Sequence, residues 1–176
     1  FQTLPVIAAG AAVGGKKESE GPLAQGFDEL VQDAGFDAEG CTGWEQAESM
    51  LQQRCARHCL RKAGITKQQV ELAFAGDLQA QCTASNYTMR QLGVPFAGLY
   101  GACSTMAEAL CLAALCAAAG VQPFLCRRTA VPHPAGIWRQ THPDRPVDCY
   151  RCRGLPGAGQ WGRGRAGTFS YHWAGV

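Results

Sequence analysis

The sequence predicts an α/β protein with a largely parallel sheet, and two observations in its first 120 residues carry that prediction. Short apolar runs that are typical of buried strands alternate with longer helical segments, which is the pattern of parallel α/β domains. The last of these helical segments is apolar almost all round, so it is predicted to lie in the interior. A chain of 176 residues, 47% of them apolar, is long enough to bury such a core.

The first predicted helix begins near Trp44 and ends at Gly64. Apolar residues recur along it at steps of three and four, and glycine is a typical helix stop. Cys55 and Cys59 lie four residues apart on the apolar face, so we interpret them as core residues rather than metal ligands. His58 lies off that face and is expected to be solvated. The opposite face is expected to carry the polar residues Glu45, Glu48, Gln52, Arg57 and Arg61.

Two strand–helix units follow. Residues 70–78 are predicted to form a buried strand that ends in Gly-Asp, and residues 83–93 a helix that ends at Gly93. A second buried strand within residues 94–103 leads directly into a helix over residues 104–119, which we expect to be covered on all sides.

The most informative position is Cys103, in the stretch YGACSTM, where the second strand ends and the last helix begins. The first turn of a helix exposes unpaired N–H groups and a partial positive charge, which favour a thiolate and make it a better nucleophile. Gly101 and Ala102 leave room for a substrate to approach. Cys103 is therefore the candidate catalytic residue, and the alternative is that it is one more buried cysteine among ten.

The composition narrows the class of protein. Most of the ten cysteines lie in apolar helical stretches, which favours reduced, buried thiols in a cytoplasmic protein over a disulfide framework. A net charge of +2 is too small to indicate nucleic acid or a membrane surface as a partner. The first residues are a poor signal peptide because no Lys or Arg precedes their apolar run, and without an initiator Met we expect a clipped start. No apolar run is long enough to span a membrane. We also predict that the protein has no cofactor.

Residues 121–176 differ from residues 1–120, since they contain no Lys and no Glu but eight Arg and six of the nine Pro. Their apolar residues follow neither the helix nor the strand period, so this region is expected to be largely irregular. Its single C-x-x-C pair allows a small zinc site as an alternative, but zinc needs four suitably spaced ligands and the other candidates are irregularly placed. Those candidate ligands are Cys149 and Cys152 with His133, His142 or Cys126.

Five stretches of the chain resemble the stage V sporulation protein AD family, in the same order and with the same spacing. They are EGPLAQGFDEL, WEQAESMLQQ, AGDLQAQ, ASNYTMRQLGVPF and LYGACSTMAEAL. The resemblance as a whole covers roughly residues 5–120. The resemblance implies the thiolase fold, a layered α/β/α/β/α architecture of two similar halves, of which this chain holds an incomplete one. It also implies that Cys103 occupies the thiolase nucleophile position.

The same resemblance implies a role in moving calcium dipicolinate into the developing spore, with dipicolinic acid as the small-molecule ligand. It implies other stage V sporulation A proteins at the spore inner membrane as partners, a cytoplasmic location or a peripheral one on the forespore inner membrane, and a homodimer. We expect no nucleic-acid partner. A thiolase-like acyltransferase with Cys103 as its nucleophile is the alternative. Because the family protein is longer and the resemblance ends after Gly120, we expect a truncated protein with impaired function.

The abrupt end of the resemblance suggests that the tail is translated out of frame. The codons of RTAVP, GIWRQTH and DCYRCRG, read one base later, permit segments similar to the family's ERQFR, EYGG and TVTGSGA at matching spacing. The C-x-x-C pair is then a by-product of shifted codons, and the tail histidines His133, His142 and His172 cannot be assumed to stand near Cys103. We therefore predict a small deletion in the gene near residues 121–127.

Overall fold

The computed structural model describes residues 4–33, 36, 39–77, 81–101, 104–121, 123–128 and 147–155. Six strands and four helices lie within these residues. The strands are β1 (Leu4–Gly14), β2 (Glu29–Leu30), β3 (Leu72–Gly76), β4 (Phe96–Gly98), β5 (Pro123–Arg128) and β6 (Val147–Leu155). The helices are α1 (Lys16–Ser19), α2 (Trp44–Ala63), α3 (Thr83–Leu92) and α4 (Thr105–Ala118).

The strands form one mixed sheet in the order β2-β1-β6-β5-β3-β4. Three of its neighbouring pairs are parallel, namely β1 with β2, β3 with β4, and β3 with β5. Strand β6 runs antiparallel to both of its neighbours, β1 and β5. The predicted α/β class with parallel strands is therefore confirmed, with β6 as the exception to the parallel arrangement.

Helices cover both faces of this sheet. Because successive strand residues point to opposite faces, the neighbours of β3 residues show which helix covers which face. Ala73 and Ala75 pack in the larger core cluster with residues of α2 and α3. Phe74, between them, packs in a second cluster with residues of α4. The described elements thus form three layers, with α2 and α3 on one face of the sheet and α4 on the other.

Helix α2 matches the predicted helix, and its end is defined by Gly64, which adopts a left-handed conformation with a φ of 66°. Cys55 and Cys59 are fully buried. Their thiols face backbone carbonyl oxygens of β1, at 3.3 and 3.9 Å. These two cysteines are core residues as predicted, and the described part of the chain contains no group of side chains suited to a metal ion.

The buried face of α2 is wider than its sequence pattern predicted. Glu48 and Gln52, expected on the exposed face, have no exposed surface. The reason is that α2 packs against α3 as well as against the sheet, so two neighbours cover it. The prediction of a solvated His58 is also wrong, since its side chain is only 17% exposed and its Nε2 lies 2.8 Å from a carboxylate oxygen of Glu29.

Helix α4 confirms the predicted helix but not its complete burial. Ala109, Ala113 and Ala117 form a fully buried row of small residues against the sheet. Leu115 lies on the other side of the helix and is 54% exposed. The difference arises because the described elements cover α4 from the sheet side only. A helix that is apolar all round is normally buried on its other side as well.

The structure places two strands, β5 and β6, in the region that we expected to be irregular. Strand β6 pairs with nearly the whole of β1, from Leu155 opposite Leu4 to Val147 opposite Val13. Backbone N–H and C=O groups pair whatever side chains they carry, so a segment without strand periodicity can still join a sheet. Because β5 and β6 lie between β1 and β3, the described parts of residues 1–120 and 121–176 share one sheet.

The cysteine chemistry of this region also differs from expectation. Cys149 is buried and disulfide-bonded, whereas the sequence favoured reduced, buried thiols over a disulfide framework. A sulfur engaged in a disulfide is not available to zinc as a thiolate, which argues against the alternative zinc site. The other residues of that site fall outside the described part of the chain, His133 and His142 entirely and Cys126 and Cys152 in their side chains.

Candidate functional site at the carboxyl ends of β3 and β4

The carboxyl ends of the parallel strands β3 and β4 meet the beginning of α4, and ligands of open α/β sheets bind at such an edge. The N–H of Leu99, just after β4, donates a hydrogen bond of 2.8 Å to the carbonyl oxygen of Ala75 in β3. The two strand ends are thereby held side by side. The predicted strand–helix junction lies at this edge, although β4 is half-buried to exposed and not buried as expected.

Gly76 allows this close approach. A Cβ atom at Gly76 would lie 2.5 Å from the carbonyl oxygen of Leu99 and 2.6 Å from the side-chain methyl group of Thr105. Both distances are far below van der Waals contact, so any larger residue would push β3 away from the start of α4. This steric requirement explains why the Gly-Asp pair at the end of the strand begins with glycine.

The chain on both sides of residues 102 and 103 is fixed by local hydrogen bonds. The N–H of Gly101 donates to Thr105 Oγ1 at 3.2 Å. The hydroxyl and the N–H of Ser104 both donate to the carbonyl oxygen of Gly101, at 2.7 and 2.9 Å. Ser104 is the N-cap residue of α4. Cys103 itself lies outside the described residues, and its predicted role as a nucleophile stays a prediction.

Asp77 follows β3 and fixes the start of α3. Its carboxylate is 1% exposed and accepts hydrogen bonds from the N–H of Ala84 at 3.2 Å and of Ser85 at 3.4 Å. The Ser85 hydroxyl also donates to it, at 2.8 Å. A carboxylate that accepts the first N–H groups of a helix satisfies donors that would otherwise be unpaired. We did not predict this role, and the signal for it is an acidic residue shortly before a helix that begins Thr-Ala-Ser.

Cys82 is a second cysteine at this edge, which the sequence pattern did not single out. Its Sγ donates a hydrogen bond of 3.2 Å to the carbonyl oxygen of Leu99, directly beside the site. Burial raises the pKa of the Cys82 thiol, and the negative charge of Asp77 raises it further. Cys82 therefore remains a neutral thiol near pH 7, which suits a structural residue and not a nucleophile.

His58 is the one histidine among the described residues, and it does not belong to this site. It lies on α2, whose layer covers the face of the sheet opposite α4. Its Nε2 is engaged with Glu29 at 2.8 Å. The part of the chain that the structure describes thus contributes glycines, hydroxyls and a buried carboxylate to the site, but no imidazole that could act as a general base for Cys103.

A sequence comparison identifies the family. The sequence model of the stage V sporulation protein AD (SpoVAD) family matches residues 1–142, which include the whole β3–α4 edge. The chain belongs to the SpoVAD family. The match extends past Gly120, the point at which we expected the resemblance to end.

A curated relative agrees with the family assignment. The stage V sporulation protein AD of Bacillus subtilis (strain 168) is 38% identical over 110 residues. This alignment covers 61% of the chain but 31% of that SpoVAD protein. The chain therefore matches less than a third of the length of its relative, and what the whole relative does comes to this chain only as a proposal.

Solved structures with a thiolase-like fold are similar to the chain. A priming β-ketosynthase of a polyketide biosynthetic pathway has a TM-score of 0.54 at 11% identity, covering 86% of the chain and 50% of that enzyme. OleA from Xanthomonas campestris, with lauric acid and lauroyl-CoA bound, has a TM-score of 0.52 at 16% identity, covering 88% of the chain and 57% of OleA. At such identities the similarity establishes the thiolase-like fold alone.

Proposed function

We propose that this SpoVAD-family chain binds dipicolinic acid at the carboxyl ends of β3 and β4, with little or no turnover. The supporting observation is the family match, which spans residues 1–142 and so includes that edge. The proposed role is in the uptake of calcium dipicolinate into the developing spore. Membership in a sporulation family makes this the best-supported context for the site.

The chemistry of the site is compatible with such a ligand. Dipicolinic acid is a flat aromatic ring with two carboxylates. The start of α4 presents unpaired N–H groups and a partial positive charge, which favour a carboxylate. Gly76 lets the end of β3 lie close to Leu99 and Thr105, which brings this strand to the start of α4. A Cβ atom at Gly101 would lie 2.6 Å from Ser104 Oγ and 2.8 Å from a carboxylate oxygen of Glu108, so these side chains border the site. The fully buried row of alanines in α4 keeps this helix close to the sheet.

The partners and location follow from the same proposal. We propose that other stage V sporulation A proteins at the spore inner membrane are the protein partners, that the chain associates with that membrane peripherally, and that it forms a homodimer. No helix in the described residues has the length and apolar character to cross a bilayer. We also propose that the uptake function is impaired in this chain, because the predicted shift of reading frame would replace the family's residues after the deletion.

A thiolase-like acyltransferase is the second candidate function. Cys103 directly precedes Ser104, the N-cap of a helix of 14 residues, where a thiolate is favoured. In that reaction the Cys103 sulfur would attack the thioester carbonyl of an acyl-CoA, and the CoA thiol would leave. The described residues supply no histidine for this step, which is why ligand binding is our first proposal.

Titration calorimetry with dipicolinate, using the full chain and its Cys103→Ser variant, tests the proposal. We expect saturable binding by both proteins, because the ring and carboxylates do not need the thiol. Benzene, which lacks the carboxylates, is the control ligand and should not bind. Failure of dipicolinate to bind would contradict the proposal.

Mass spectrometry after incubation with acetyl-CoA distinguishes the two functions. A stable acetyl group on Cys103, absent from the Cys103→Ser variant, would favour the acyltransferase. An unmodified Cys103 together with saturable dipicolinate binding would favour the binding protein.

A further inference from the structure

A surface cavity of about 460 Å³ lies between the C-terminal half of α2 and the end of α3, on the face of the sheet opposite the candidate site. Its polar lining includes Gln53, Arg57, Arg61 and Lys67, and Leu60 and Leu92 contribute an apolar part. This volume lies within the range of about 300–1,000 Å³ that is typical of small-molecule sites.

The arginines of this cavity differ from the other cationic side chains of α2 in their carboxylate partners. Arg54 forms ion pairs with Glu29, at 2.5 Å, and with Glu39, and Lys62 pairs with a neighbouring aspartate. Among the described residues, neither Arg57 nor Arg61 has a carboxylate partner. No carboxylate lines the cavity in the part of the chain that the structure describes, so its charge is left uncompensated.

Local hydrogen bonds orient the two arginines and leave donors unused. Arg57 donates from Nη2 to the side-chain oxygen of Gln53 at 3.2 Å. Arg61 donates from Nη2 to Nδ1 of His58 at 2.5 Å, and the other ring nitrogen of His58 faces Glu29. A guanidinium carries five N–H donors, so each arginine keeps several for a ligand.

From the uncompensated charge and the apolar lining we propose that this cavity binds a small organic anion, a phosphate or carboxylate group attached to a flat apolar body. The oxyanion accepts hydrogen bonds from Arg57 and Arg61, one helical turn apart, with Lys67 adding a third positive charge. Paired guanidiniums suit such oxyanions because they donate two parallel hydrogen bonds. The apolar body rests on Leu60 and Leu92, which are 9% and 8% exposed. This site is independent of the dipicolinate proposal, because α2 and α4 cover opposite faces of the sheet.

Calorimetry with phenyl phosphate and with benzoate, added separately to the full chain, tests this second site. We expect saturable binding of at least one probe, and the tighter probe identifies the preferred oxyanion. Inorganic phosphate and phenol each lack one half of the proposed ligand and should bind more weakly. Because a lost charge-assisted hydrogen bond weakens binding markedly, Arg57→Gln and Arg61→Gln are each expected to lower the affinity by roughly tenfold.

The matched control is Arg90→Gln, which removes one positive charge from α3 without changing the lining of the cavity. It should change the affinity less than about twofold, because Arg90 does not line the cavity and acts on the ligand only through a charge that salt screens. Circular dichroism of each variant checks that the fold is retained. The proposal is overturned if neither probe saturates, or if Arg90→Gln weakens binding as much as Arg57→Gln does. It is also overturned if only a polyglutamate peptide binds, since the cavity would then serve an acidic protein partner.

Discussion

At the scale of single residues, Gly76 is critical to the geometry of the candidate site, because any side chain there would collide with the backbone of Leu99. We predict that Gly76→Ala lowers the free energy of unfolding by about 1–3 kcal/mol, the usual cost of overpacking. Gly26→Ala is the matched control, since a Cβ at Gly26 meets no atom within 4 Å. Urea denaturation measures both variants, and equal effects of the two substitutions would contradict the proposed close approach.

Asp77 offers a second prediction for a single residue. Its buried carboxylate accepts three hydrogen bonds from Ala84 and Ser85 at the start of α3. Replacement of a capping carboxylate by alanine typically costs about 0.5–2 kcal/mol, so Asp77→Ala is expected to destabilise the fold by that amount. The exposed Glu20 provides the control variant Glu20→Ala, which should leave the urea midpoint nearly unchanged. A stability of Asp77→Ala equal to that of the control would show that the cap contributes nothing.

Helix α2 is tied to the strands by ion pairs, and these make its attachment pH-dependent. Burial raises the pKa of the Glu29 carboxyl, but the hydrogen bonds from Arg54 and His58 and the charge of Arg54 outweigh burial and lower that pKa below its ordinary value of 4.5. Asp28 has a lowered pKa as well, since Lys62 outweighs the effect of burial. A carboxyl with a lowered pKa contributes stability above its unfolded-state pKa, and this contribution is lost as the pH falls through its folded-state pKa.

We therefore predict that Glu29→Gln is less stable than the unmodified chain at pH 7, by about 1 kcal/mol because the pair is partly exposed. The difference should shrink as the pH falls below 4.5, since the unmodified Glu29 then becomes protonated as well. Urea titrations at neutral and acidic pH measure the two free energies of unfolding. A difference that stays the same at both pH values would contradict the ion-pair explanation.

The helices and strands also show what the sequence predicts well. The boundaries of α2, α3 and α4 followed from periodicity and from glycines in left-handed conformations, such as Gly64 and Gly93. The burial of Glu48 and the hydrogen bond of His58 could not be predicted from the sequence pattern. Glu48 is covered by α3 and His58 is bonded to β2, and both elements are distant from α2 in the chain. Strand β1 was missed because its apolar stretch at the start of the chain was considered only as a possible signal peptide. At the candidate site, the glycines and the strand–helix junction were predictable, whereas the roles of Asp77 and Cys82 required the structure.

For the molecule as a whole, the side of α4 that no described element covers has consequences for solution behaviour. Leu115 is 54% exposed, and exposed apolar surface of this kind favours association. We predict that the chain self-associates and that Leu115→Lys reduces this association in sedimentation velocity experiments. Leu23, which is 71% exposed elsewhere, provides the control Leu23→Lys, which should have no effect. A monomeric unmodified chain would contradict the prediction.

The reading frame of the last third of the chain is a further property of the whole molecule. The codons of residues 127–154, read one base later, are predicted to spell text of the SpoVAD family. Sequencing the gene across this region tests the prediction directly. The prediction is disproved if the codons read one base later do not encode residues similar to those of the SpoVAD family. The strands β5 and β6 do not decide the question, because backbone pairing alone can place such segments in a sheet.

The rate at which iodoacetamide labels each cysteine, measured by mass spectrometry with and without dipicolinate, tests the central claim most directly. We predict that Cys103 is labelled faster than Cys82, whose pKa is raised, and faster than the exposed Cys111. We also predict that dipicolinate slows the labelling of Cys103 and leaves that of Cys111 unchanged. If Cys103 reacts no faster than Cys111 and dipicolinate does not protect it, then the carboxyl ends of β3 and β4 are not the ligand site.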